Sequence, residues 1–453
     1  MTAPPERRHP DGRYWDPVET WPAERLREFQ TSALRRQLAY VGARSDYYRG
    51  RWRDLGFEPG DVREPDDLAG LPVVSKDDYV AALEGRPPWG AFVAAEPADV
   101  RRVHFSSGTT GRPTPMCWTQ PDLDRWADLW ARMAYSQGVR AVDVHQCLFG
   151  YAWFVGGLGG TAGMARIGAT VIPAGSGDTD RQLDTIARYG TTSVSGTPSF
   201  VLHLADVAAS QGRPLRDSRV RHVQVGGEPG ACIPATRRAI EEQWGGRCYD
   251  GYGSLEFQPI AWECAEQAGG HLAEDAHYAE VVDPDTRQPV PDGTPGVLVL
   301  THLDKQACPL VRWWTGDVVV RERGTCACGR THARLVGGVL GRQDDMLVVR
   351  GVNVFPSAVE QLVRRTPQAL GEYQIVLSAE VTDPVTGYLT AIGLRVETTA
   401  TDTDSFAREL ADAARAQLGV RCLVTAVPAG SLPRSTHKSR RVVREDATPK
   451  GAP

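Results

Sequence analysis

A crowded run of hydroxyl and glycine residues, SSGTTGRPTP at positions 106–115, is the first segment of this chain whose residue types suggest chemistry. Glycines let backbone amides turn inward and approach a phosphate closely, hydroxyl groups add donors, and Arg112 adds a fixed positive charge. The loop lacks the Gly-Lys-Ser/Thr ending of a Walker-type phosphate loop. Such a cluster is, on its own, typical of an ordinary flexible loop, so its interpretation depends on the segments that follow.

Three later segments each carry a charged residue among small and polar neighbours: Glu256 in YGSLE, Asp317 in WWTGDV and Lys438 in PRSTHKSRR. A carboxylate can hold a hard cation or sugar hydroxyls, and a lysine can stabilise charge that develops on a phosphate. Each residue also has an ordinary interpretation, as a turn residue for Asp317 and as part of a solvated basic tail for Lys438. Their order along the chain therefore matters more than any one of them.

A second set of chemically capable residues consists of Cys264 and His271, followed by Cys326 and Cys328 in GTCACGRTH. Four soft or borderline ligands in two short pairs can surround a tetrahedral Zn²⁺ ion. His332 is the competing histidine. Because four protein ligands leave no position open for a substrate, we expect a structural zinc site without a catalytic role.

The elements that must position these residues show an alternating pattern from about residue 98. Short apolar runs such as TTSVSG and VRHVQVGG are separated by amphipathic stretches such as IPATRRAIEEQWGG, a pattern that predicts an α/β domain with buried strands. Near Gly341 the pattern changes to a compact α+β unit of about one hundred residues. We therefore predict a large N-terminal α/β domain of several subdomains, with sheets flanked by helices, at 1–343, and a small α+β C-terminal domain at 344–453.

The overall composition restricts the binding partners and the cellular compartment that we expect. A net charge of -5 over 453 residues gives no sign of a nucleic-acid or anionic-membrane partner. The most apolar segment, 151–173, is rich in glycine and interrupted by Arg166, so it is a poor membrane span. The first twenty residues lack an apolar stretch, and nine scattered cysteines do not suggest a disulfide framework. We expect a cytoplasmic protein with free thiols and metal ligands.

Taken in order, these segments resemble the adenylate-forming superfamily of acyl-CoA synthetases, carrier-protein adenylation domains and luciferases. Within it, the chain is similar to the phenylacetate-CoA ligase branch. The resemblance rests on HFSSGTTGRPTP, GTPSF, VGGEP, DGYGSLE, GRQDDMLVVRGVNVFPS and LPRSTHKSRRVV. It implies an AMP-forming acid–thiol ligase that adenylates a small aromatic carboxylic acid with ATP and Mg²⁺ and passes the acyl group to coenzyme A.

The resemblance also implies a role for each segment. Catalytic roles fall to Lys438, to Glu256 as the Mg²⁺ ligand, and to Arg112. Nucleotide binding falls to Ser106, Ser107, Gly108, Thr109, Thr110, Gly111, Gly227, Glu228, Pro229, Tyr252, Gly253, Ser254, Asp317 and Arg342. Among these, Tyr252 would stack on adenine, and Asp317 would accept hydrogen bonds from the ribose hydroxyls with support from Arg342.

Domain movement and acid recognition are implied in the same way. Asp344 would be the hinge of a mobile C-terminal domain, which turns its loop of Gly351, Val352 and Asn353 toward the thiol. We expect the acyl pocket to be lined by Tyr151, Trp153, Phe154 and Gly226, because flat aromatic walls and close glycine backbones suit a planar acid. An aromatic cluster is equally typical of an ordinary core.

The sequence departs from the family pattern at three positions. Arg112 stands where relatives usually carry Lys, and Gly316 stands where most relatives of this branch carry Arg. Leu255 occupies the place of a Ser or Thr whose hydroxyl meets the α-phosphate, and Ser254 precedes it. Some relatives in this branch carry the same Cys and His residues and bind zinc with them, whereas others lack them.

Two alternatives stay open at this point. One is an aryl-acid adenylating enzyme that delivers the acyl group to a carrier protein or an amine, which product analysis would distinguish. The other is a non-catalytic acyl- or nucleotide-binding relative, supported by Ser254 and Gly316. Retention of Lys438, Glu256 and Asp317 argues against the second alternative. The identity of the acid and the presence of a homodimer are left open.

Overall fold

The helices and strands that position the candidate site are seen in a computed structural model that describes residues 12–84, 87–106, 113–153, 155–384, 386–433 and 441–445. The helices are α1 (Ala23–Arg44), α2 (Asp46–Leu55), α3 (Lys76–Ala81), α4 (Gln120–Ser136), α5 (Val155–Ile167), α6 (Thr179–Tyr189), α7 (Pro198–Ser210), α8 (Pro234–Trp244), α9 (Pro356–Arg365) and α10 (Thr403–Leu418).

The strands up to residue 342 are β1 (Arg102–Phe105), β2 (Pro115–Trp118), β3 (Val144–Cys147), β4 (Thr170–Ile172), β5 (Ser193–Gly196), β6 (His222–Gly226), β7 (Arg247–Tyr252), β8 (Ala261–Trp262), β9 (Gly270–Leu272), β10 (His277–Val282), β11 (Pro295–His302), β12 (Trp313–Glu322) and β13 (Arg334–Arg342). The later strands are β14 (Leu347–Val349), β15 (Val352–Val354), β16 (Ala369–Leu377), β17 (Ile392–Thr398), β18 (Cys422–Val427) and β19 (Val442–Arg444).

One large sheet organises the N-terminal part of the described chain. Its strand order is β10-β11-β12-β13-β9-β8-β7-β6-β5-β3-β4. The run β4-β3-β5-β6-β7 is parallel, and helices α5 to α8 make the crossovers that parallel neighbours require. The remaining neighbours in this order, from β7-β8 through β9, β13, β12 and β11 to β10, all pair antiparallel. The predicted α/β domain with a sheet flanked by helices is confirmed.

The carboxyl ends of β5, β6 and β7 lie side by side, which is the edge where ligands bind in open α/β sheets. Gly226 at the end of β6 allows close strand pairing, because a Cβ there would lie 2.5 Å from the carbonyl oxygen of Gly251. Gly227 then turns the chain with a φ of +87°, a conformation that favours glycine. The GTPSF, VGGEP and YGSLE segments are thereby delivered to one edge.

The C-terminal part has its own core. Strands β16 to β19 form a sheet in the order β18-β17-β16-β19, and buried residues from Leu347 to Cys422 pack together with α9 and α10. The separate α+β C-terminal domain is confirmed, while its boundary at Asp344 stays a prediction. Asn353, expected in a turn, lies within β15 opposite Val348.

Candidate active site

Tyr252, Asp317 and Arg342 form the centre of the predicted nucleoside site. Tyr252 ends β7, and its hydroxyl donates to Oδ2 of Asp317 at 2.5 Å. Asp317 pairs with Arg342 across β12 and β13, and Arg342 Nη1 donates to its Oδ1 at 3.2 Å. Burial raises the pKa of Asp317, and burial together with Asp317 raises that of Tyr252. Three residues from distant motifs therefore share one hydrogen-bond network, and their roles in holding adenine and ribose stay a prediction.

Arg342 also ties this network to the proposed hinge. Its Nε and Nη2 donate to the two carboxylate oxygens of Asp344 at 2.8 and 3.1 Å, and Gln343 N donates to Gly316 O at 2.7 Å. Gly316 has a φ of +76°, and a Cβ there would lie 3.0 Å from Nη2 of Arg342. Glycine at position 316 thus leaves space for the Arg342 guanidinium.

A cavity of about 780 Å³ adjoins Tyr252 and is lined also by Asp250, Cys232, Arg237 and Glu263. Asp250 lies two residues before Tyr252 on β7, so both side chains point to the same face. Burial and the nearby Glu263 raise the pKa of Asp250 to about 7. Arg237 Nη2 donates to Glu263 Oε1 at 2.6 Å. The sequence analysis did not select Asp250, although the two-residue strand period would have indicated it.

Glu256, the predicted Mg²⁺ ligand, is paired with a residue that the sequence analysis also missed. Nζ of Lys76 lies 2.6 Å from Oε1 of Glu256, whose side chain is 9% exposed. Lys76 is 180 residues earlier in the chain and begins α3, where it looks like an ordinary first-turn residue. No local sequence signal connects the two.

The turn that leads to Glu256 accounts for the unusual Ser254–Leu255 order. Phe257 N donates to Ser254 Oγ at 3.1 Å, and Ser254 N donates to Phe257 O at 2.8 Å. The Leu255 side chain packs against the main hydrophobic core. The Ser254 hydroxyl oxygen is therefore engaged in the turn, and its proton is left to donate.

Glu228 and Ser106 are held by backbone contacts beside the sheet edge. Oε1 of Glu228 accepts from Ser199 N at the start of α7 at 2.7 Å, so this carboxylate caps the helix. Ser106 N donates to Thr114 O at 3.1 Å, and Thr114 N donates to Ser106 Oγ at 3.2 Å, which closes the base of the predicted phosphate loop between β1 and β2. The remaining loop residues Ser107, Gly108, Thr109, Thr110, Gly111 and Arg112 lie outside the described residues, as do Phe154 and Lys438.

The predicted acyl-pocket residues Tyr151 and Trp153 differ in burial and in the residues that they contact. Tyr151 is half-buried, and its hydroxyl lies 2.8 Å from Thr161 Oγ1. Trp153 is 58% exposed, and its ring stands 5.6 Å from that of Phe105 at the end of β1. The glycines of α5 serve packing, because a Cβ on Gly159 would lie 2.4 Å from Nε1 of Trp130 on α4. Assignment of the pocket stays a prediction.

The loop predicted to face the thiol is a tight hairpin turn between β14 and β15. Arg350 and Gly351 both have positive φ, 49° and 82°, as the commonest two-residue hairpin turn requires. Gly351, Val352 and Asn353 are exposed. A Cβ on Gly341, at the other side of the proposed hinge, would lie 2.2 Å from Cδ1 of Phe355, so the two domains meet closely there.

Cys264, His271, Cys326 and Cys328 are brought together, with one potential ligand atom from each lying within 4.8 Å of the others. Sγ of Cys264 is 3.9 Å from Sγ of Cys326, and Sγ of Cys328 is 3.6 Å from Nε2 of His271. Zinc–ligand bonds of about 2.3 Å to sulfur and about 2.0–2.1 Å to nitrogen make tetrahedron edges of about 3.8 and about 3.6 Å. The four residues therefore fit a zinc ion.

Hydrogen bonding orients His271 toward the three sulfur atoms. Nδ1 of His271 lies 3.4 Å from His332 O, a contact that leaves Nε2 free to face the sulfurs. Hydrogen bonds from Cys264 and His271 lower the pKa of the Cys328 thiol to about 2, whereas the hydrogen bond with Cys328, together with burial, raises the pKa of the Cys264 thiol. The competing His332 is turned away, with its ring nitrogens 2.9 and 3.1 Å from the carbonyl oxygens of Leu272 and Val18.

The N-terminal segment 14–21 packs against the loop of residues 326–332, which carries Cys326 and Cys328 and is called the cysteine loop below. Tyr14 Oη donates to Cys328 O at 2.9 Å, and Thr331 Oγ1 donates to Trp21 O at 2.6 Å. Glu19 and Arg330, which are 2% and 5% exposed, form a buried ion pair with Nε and Oε2 2.6 Å apart. The loop is thus held from outside by the start of the described chain.

A parallel-sheet edge with an aromatic–carboxylate–arginine network, followed along the chain by a separate small α+β domain, is the arrangement expected of an adenylate-forming enzyme. Comparison with known proteins agrees with this class. The model of the AMP-binding enzyme family matches residues 60–302, and that of the AMP-binding enzyme C-terminal domain matches residues 351–445. The chain belongs to the AMP-binding enzyme family.

Its relatives include several phenylacetate-coenzyme A ligases. The protein from Thermus thermophilus is 37% identical over 95% of this chain and 99% of its own length. The one from Escherichia coli is 34% identical over 94% of this chain and 96% of its own length. No helix in the described part of the chain is long and apolar enough to cross a bilayer.

Solved structures of a 2-hydroxyisobutyryl-CoA ligase share the whole fold. Its postadenylation state with the acyl-AMP superposes with a TM-score of 0.91 at 30% identity, covering 98% of this chain and 94% of that one. Its thioesterification state, with CoA, gives a TM-score of 0.73 over the same shares. The domain arrangement described here is therefore more similar to the postadenylation state.

Proposed function

We propose that this chain is an AMP-forming ligase that adenylates a small aromatic carboxylic acid and transfers the acyl group to coenzyme A. The observation that carries the proposal is the match, over 95% of the chain, to a phenylacetate-coenzyme A ligase. The Tyr252–Asp317–Arg342 network supports the nucleotide half of the reaction. Transfer to a carrier protein or an amine is not favoured by relatives that are named as coenzyme A ligases.

In the proposed reaction, the acid carboxylate attacks the α-phosphorus of ATP, pyrophosphate leaves, and a thiol then displaces AMP from the acyl-adenylate. Such chemistry depends on positioning and charge stabilisation. Tyr252 and Asp317 would hold adenine and ribose, and Lys438 would stabilise charge on the α-phosphate. Glu256 would hold Mg²⁺, which neutralises phosphate charge when bound.

The second half-reaction requires the C-terminal domain to turn about Asp344. This turn would break the Arg342–Asp344 pair and bring the exposed hairpin of Gly351 to Asn353 toward the acyl-adenylate. The two states of the 2-hydroxyisobutyryl-CoA ligase, with TM-scores of 0.91 and 0.73, support such a movement.

We extend the proposal to a zinc ion held by Cys264, His271, Cys326 and Cys328. All four ligand positions would be filled by protein, so the metal would stabilise the fold and take no part in the reaction. Elemental analysis of the purified protein should find about one zinc per chain. Absence of metal together with freely titratable thiols would contradict the assignment.

The test of function is acid-dependent exchange of pyrophosphate into ATP across a panel of acids, followed by product analysis. Benzoates, hydroxybenzoates and phenylacetates should give the highest exchange. Fatty acids and 2-hydroxyisobutyrate should be poor, because a short aromatic slot excludes a long chain and leaves a small aliphatic acid unpacked. Product assays with coenzyme A, a carrier protein and free amines in parallel identify the acceptor. Highest exchange with an aliphatic acid would overturn the aromatic assignment and leave the adenylation chemistry intact.

A further inference from the structure

The ion pair between Lys76 and Glu256 occupies the position at which the proposed function requires a divalent cation. Nζ of Lys76 lies 2.6 Å from Oε1 of Glu256. The Glu256 side chain is 9% exposed, whereas the Lys76 side chain is 39% exposed. Among the residues that the structure describes, Glu256 is the hydrogen-bond acceptor of this ammonium group, so its other N–H groups are available to a ligand.

The backbone at Lys76 is fixed to the strand that carries Asp317. Val74 N donates to Arg312 O, and Trp314 N donates to Val74 O, both at 2.8 Å. Ser75 then caps α3 by accepting from Asp78 N. Lys76 is therefore held in place relative to the nucleoside network, while its long side chain keeps freedom to move.

We propose that Lys76 is an exchangeable counter-ion. It neutralises Glu256 in the empty site, and its side chain moves to form an ion pair with the phosphates when Mg²⁺–ATP binds. This inference rests on the proposed function. A buried carboxylate is costly without a partner, so an empty site needs a cation at Glu256. Mg²⁺ approaches its oxygen ligands to about 2.0–2.1 Å and would displace the ammonium group from the same oxygen. The phosphates that arrive with the metal then offer Lys76 a new anionic partner.

The counter-ion role predicts opposite effects on two binding equilibria when the charge is removed. In Lys76→Met, Glu256 loses its competing cation, so Mn²⁺ without nucleotide should bind more tightly, by roughly threefold or more. Mg²⁺–ATP should bind roughly tenfold more weakly, because one charge-assisted phosphate contact is lost. Mn²⁺ affinity is measured by electron paramagnetic resonance, and Mg²⁺–ATP affinity by calorimetry.

Two further variants separate this role from simple support of the fold. Lys76→Arg keeps the charge and should retain Mg²⁺–ATP affinity within roughly threefold. Arg51→Gln is the matched control. Arg51 lies on α2 and forms an ion pair, at 3.5 Å, with Asp78, which lies on α3 together with Lys76. It should leave both affinities unchanged.

The outcomes are distinguishable. Tighter Mn²⁺ binding with weaker Mg²⁺–ATP binding in Lys76→Met supports the inference. Two unchanged affinities, or a parallel loss of both with a lower Tm, would overturn it and leave the proposed function standing. Wild-type protein that binds no Mg²⁺–ATP would overturn the proposed function, and this inference with it.

Discussion

The proposed nucleotide site and the Cys/His cluster balance their charges in different ways. In the proposed nucleotide site, Glu256 is paired with Lys76, and Asp317 is paired with Tyr252 and Arg342. In the cluster, the ligand atoms of three cysteines and one histidine face one another within 4.8 Å. A site whose charges already have partners can release and rebind a ligand at little electrostatic cost, whereas a set of thiolates needs a permanent cation. This is the difference expected between a site that turns over its ligands, as we propose for the first, and a site that holds a structural metal, as we propose for the second.

The largest effect should come from the nucleotide side, at the predicted catalytic lysine. Lys438→Ala should lower acid-dependent pyrophosphate exchange by roughly a hundredfold or more, because one preorganised donor to the transition state is lost. Conversion of a chemically prepared acyl-adenylate to the thioester should persist, since that step uses the other domain arrangement. Lys450→Ala removes the same charge further along and serves as the control. Equal loss of both half-reactions would contradict the two-arrangement mechanism.

A smaller effect is expected at the ribose end of the same site. Asp317→Ala should weaken ATP binding by roughly 10- to 100-fold, the usual worth of hydrogen bonds to a charged group. Wild-type protein should also discriminate against 2′-deoxy-ATP, and the variant should bind the two nucleotides alike. Calorimetric titrations with both nucleotides measure this. A variant that still discriminates between them would place the ribose elsewhere.

Substitutions in the Cys/His cluster should lower thermal stability and leave ATP affinity nearly unchanged. Cys326→Ser should abolish stoichiometric zinc and lower Tm by several degrees, while ATP affinity changes by less than about twofold. Cys422→Ser, at a buried thiol of the C-terminal domain, provides the control and should keep the metal. Elemental analysis and thermal melts decide the matter. A Cys326→Ser protein with normal zinc content would remove this residue from the site.

The smallest effect should be a pH dependence at Asp250. Folding raises its pKa from 3.8 to about 7, so the stability that its protonated form contributes is present below pH 3.8 and is lost as pH rises through 7. Asp250→Asn cannot ionise and should be more stable relative to wild type at pH 8 than at pH 5, by roughly a few degrees in Tm. Thermal melts at the two pH values measure the difference. An equal shift at both would show that Asp250 does not titrate on folding.

Sequence motifs predicted the fold, and they selected Tyr252, Asp317 and Arg342 as neighbours in one site, because their order reflects the order of strands at one sheet edge. Tyr252 and Asp317 follow recognisable segments, and the structure joins them with a 2.5 Å hydrogen bond. The four Cys/His positions were selected from residue type, from their spacing in two short pairs and from the resemblance, and the structure brings their ligand atoms together. Zinc itself stays a prediction.

Lys76 and Asp250 show what the sequence did not reveal. The partner of Lys76 lies 180 residues away, so the pair exists only after the chain has folded. The strand period places Asp250 on the same face as Tyr252, but its raised pKa depends on burial and on Glu263, which no local pattern reveals. Pairings across the fold and effects of burial have no local signature, whereas a glycine-rich turn or a cysteine pair does.

The N-terminal segment that lies on the cysteine loop limits where the chain tolerates shortening. Trimming that stops before Tyr14 preserves its hydrogen bond to Cys328 and the Glu19–Arg330 pair. Trimming past Trp21 leaves Arg330 buried without its carboxylate partner, and removes the cover from a loop that carries two predicted metal ligands. The start of the first α-helix, α1, is therefore a poor place to begin a shortened protein, and proteolytic nicking between Tyr14 and Trp21 would report release of this segment from the loop.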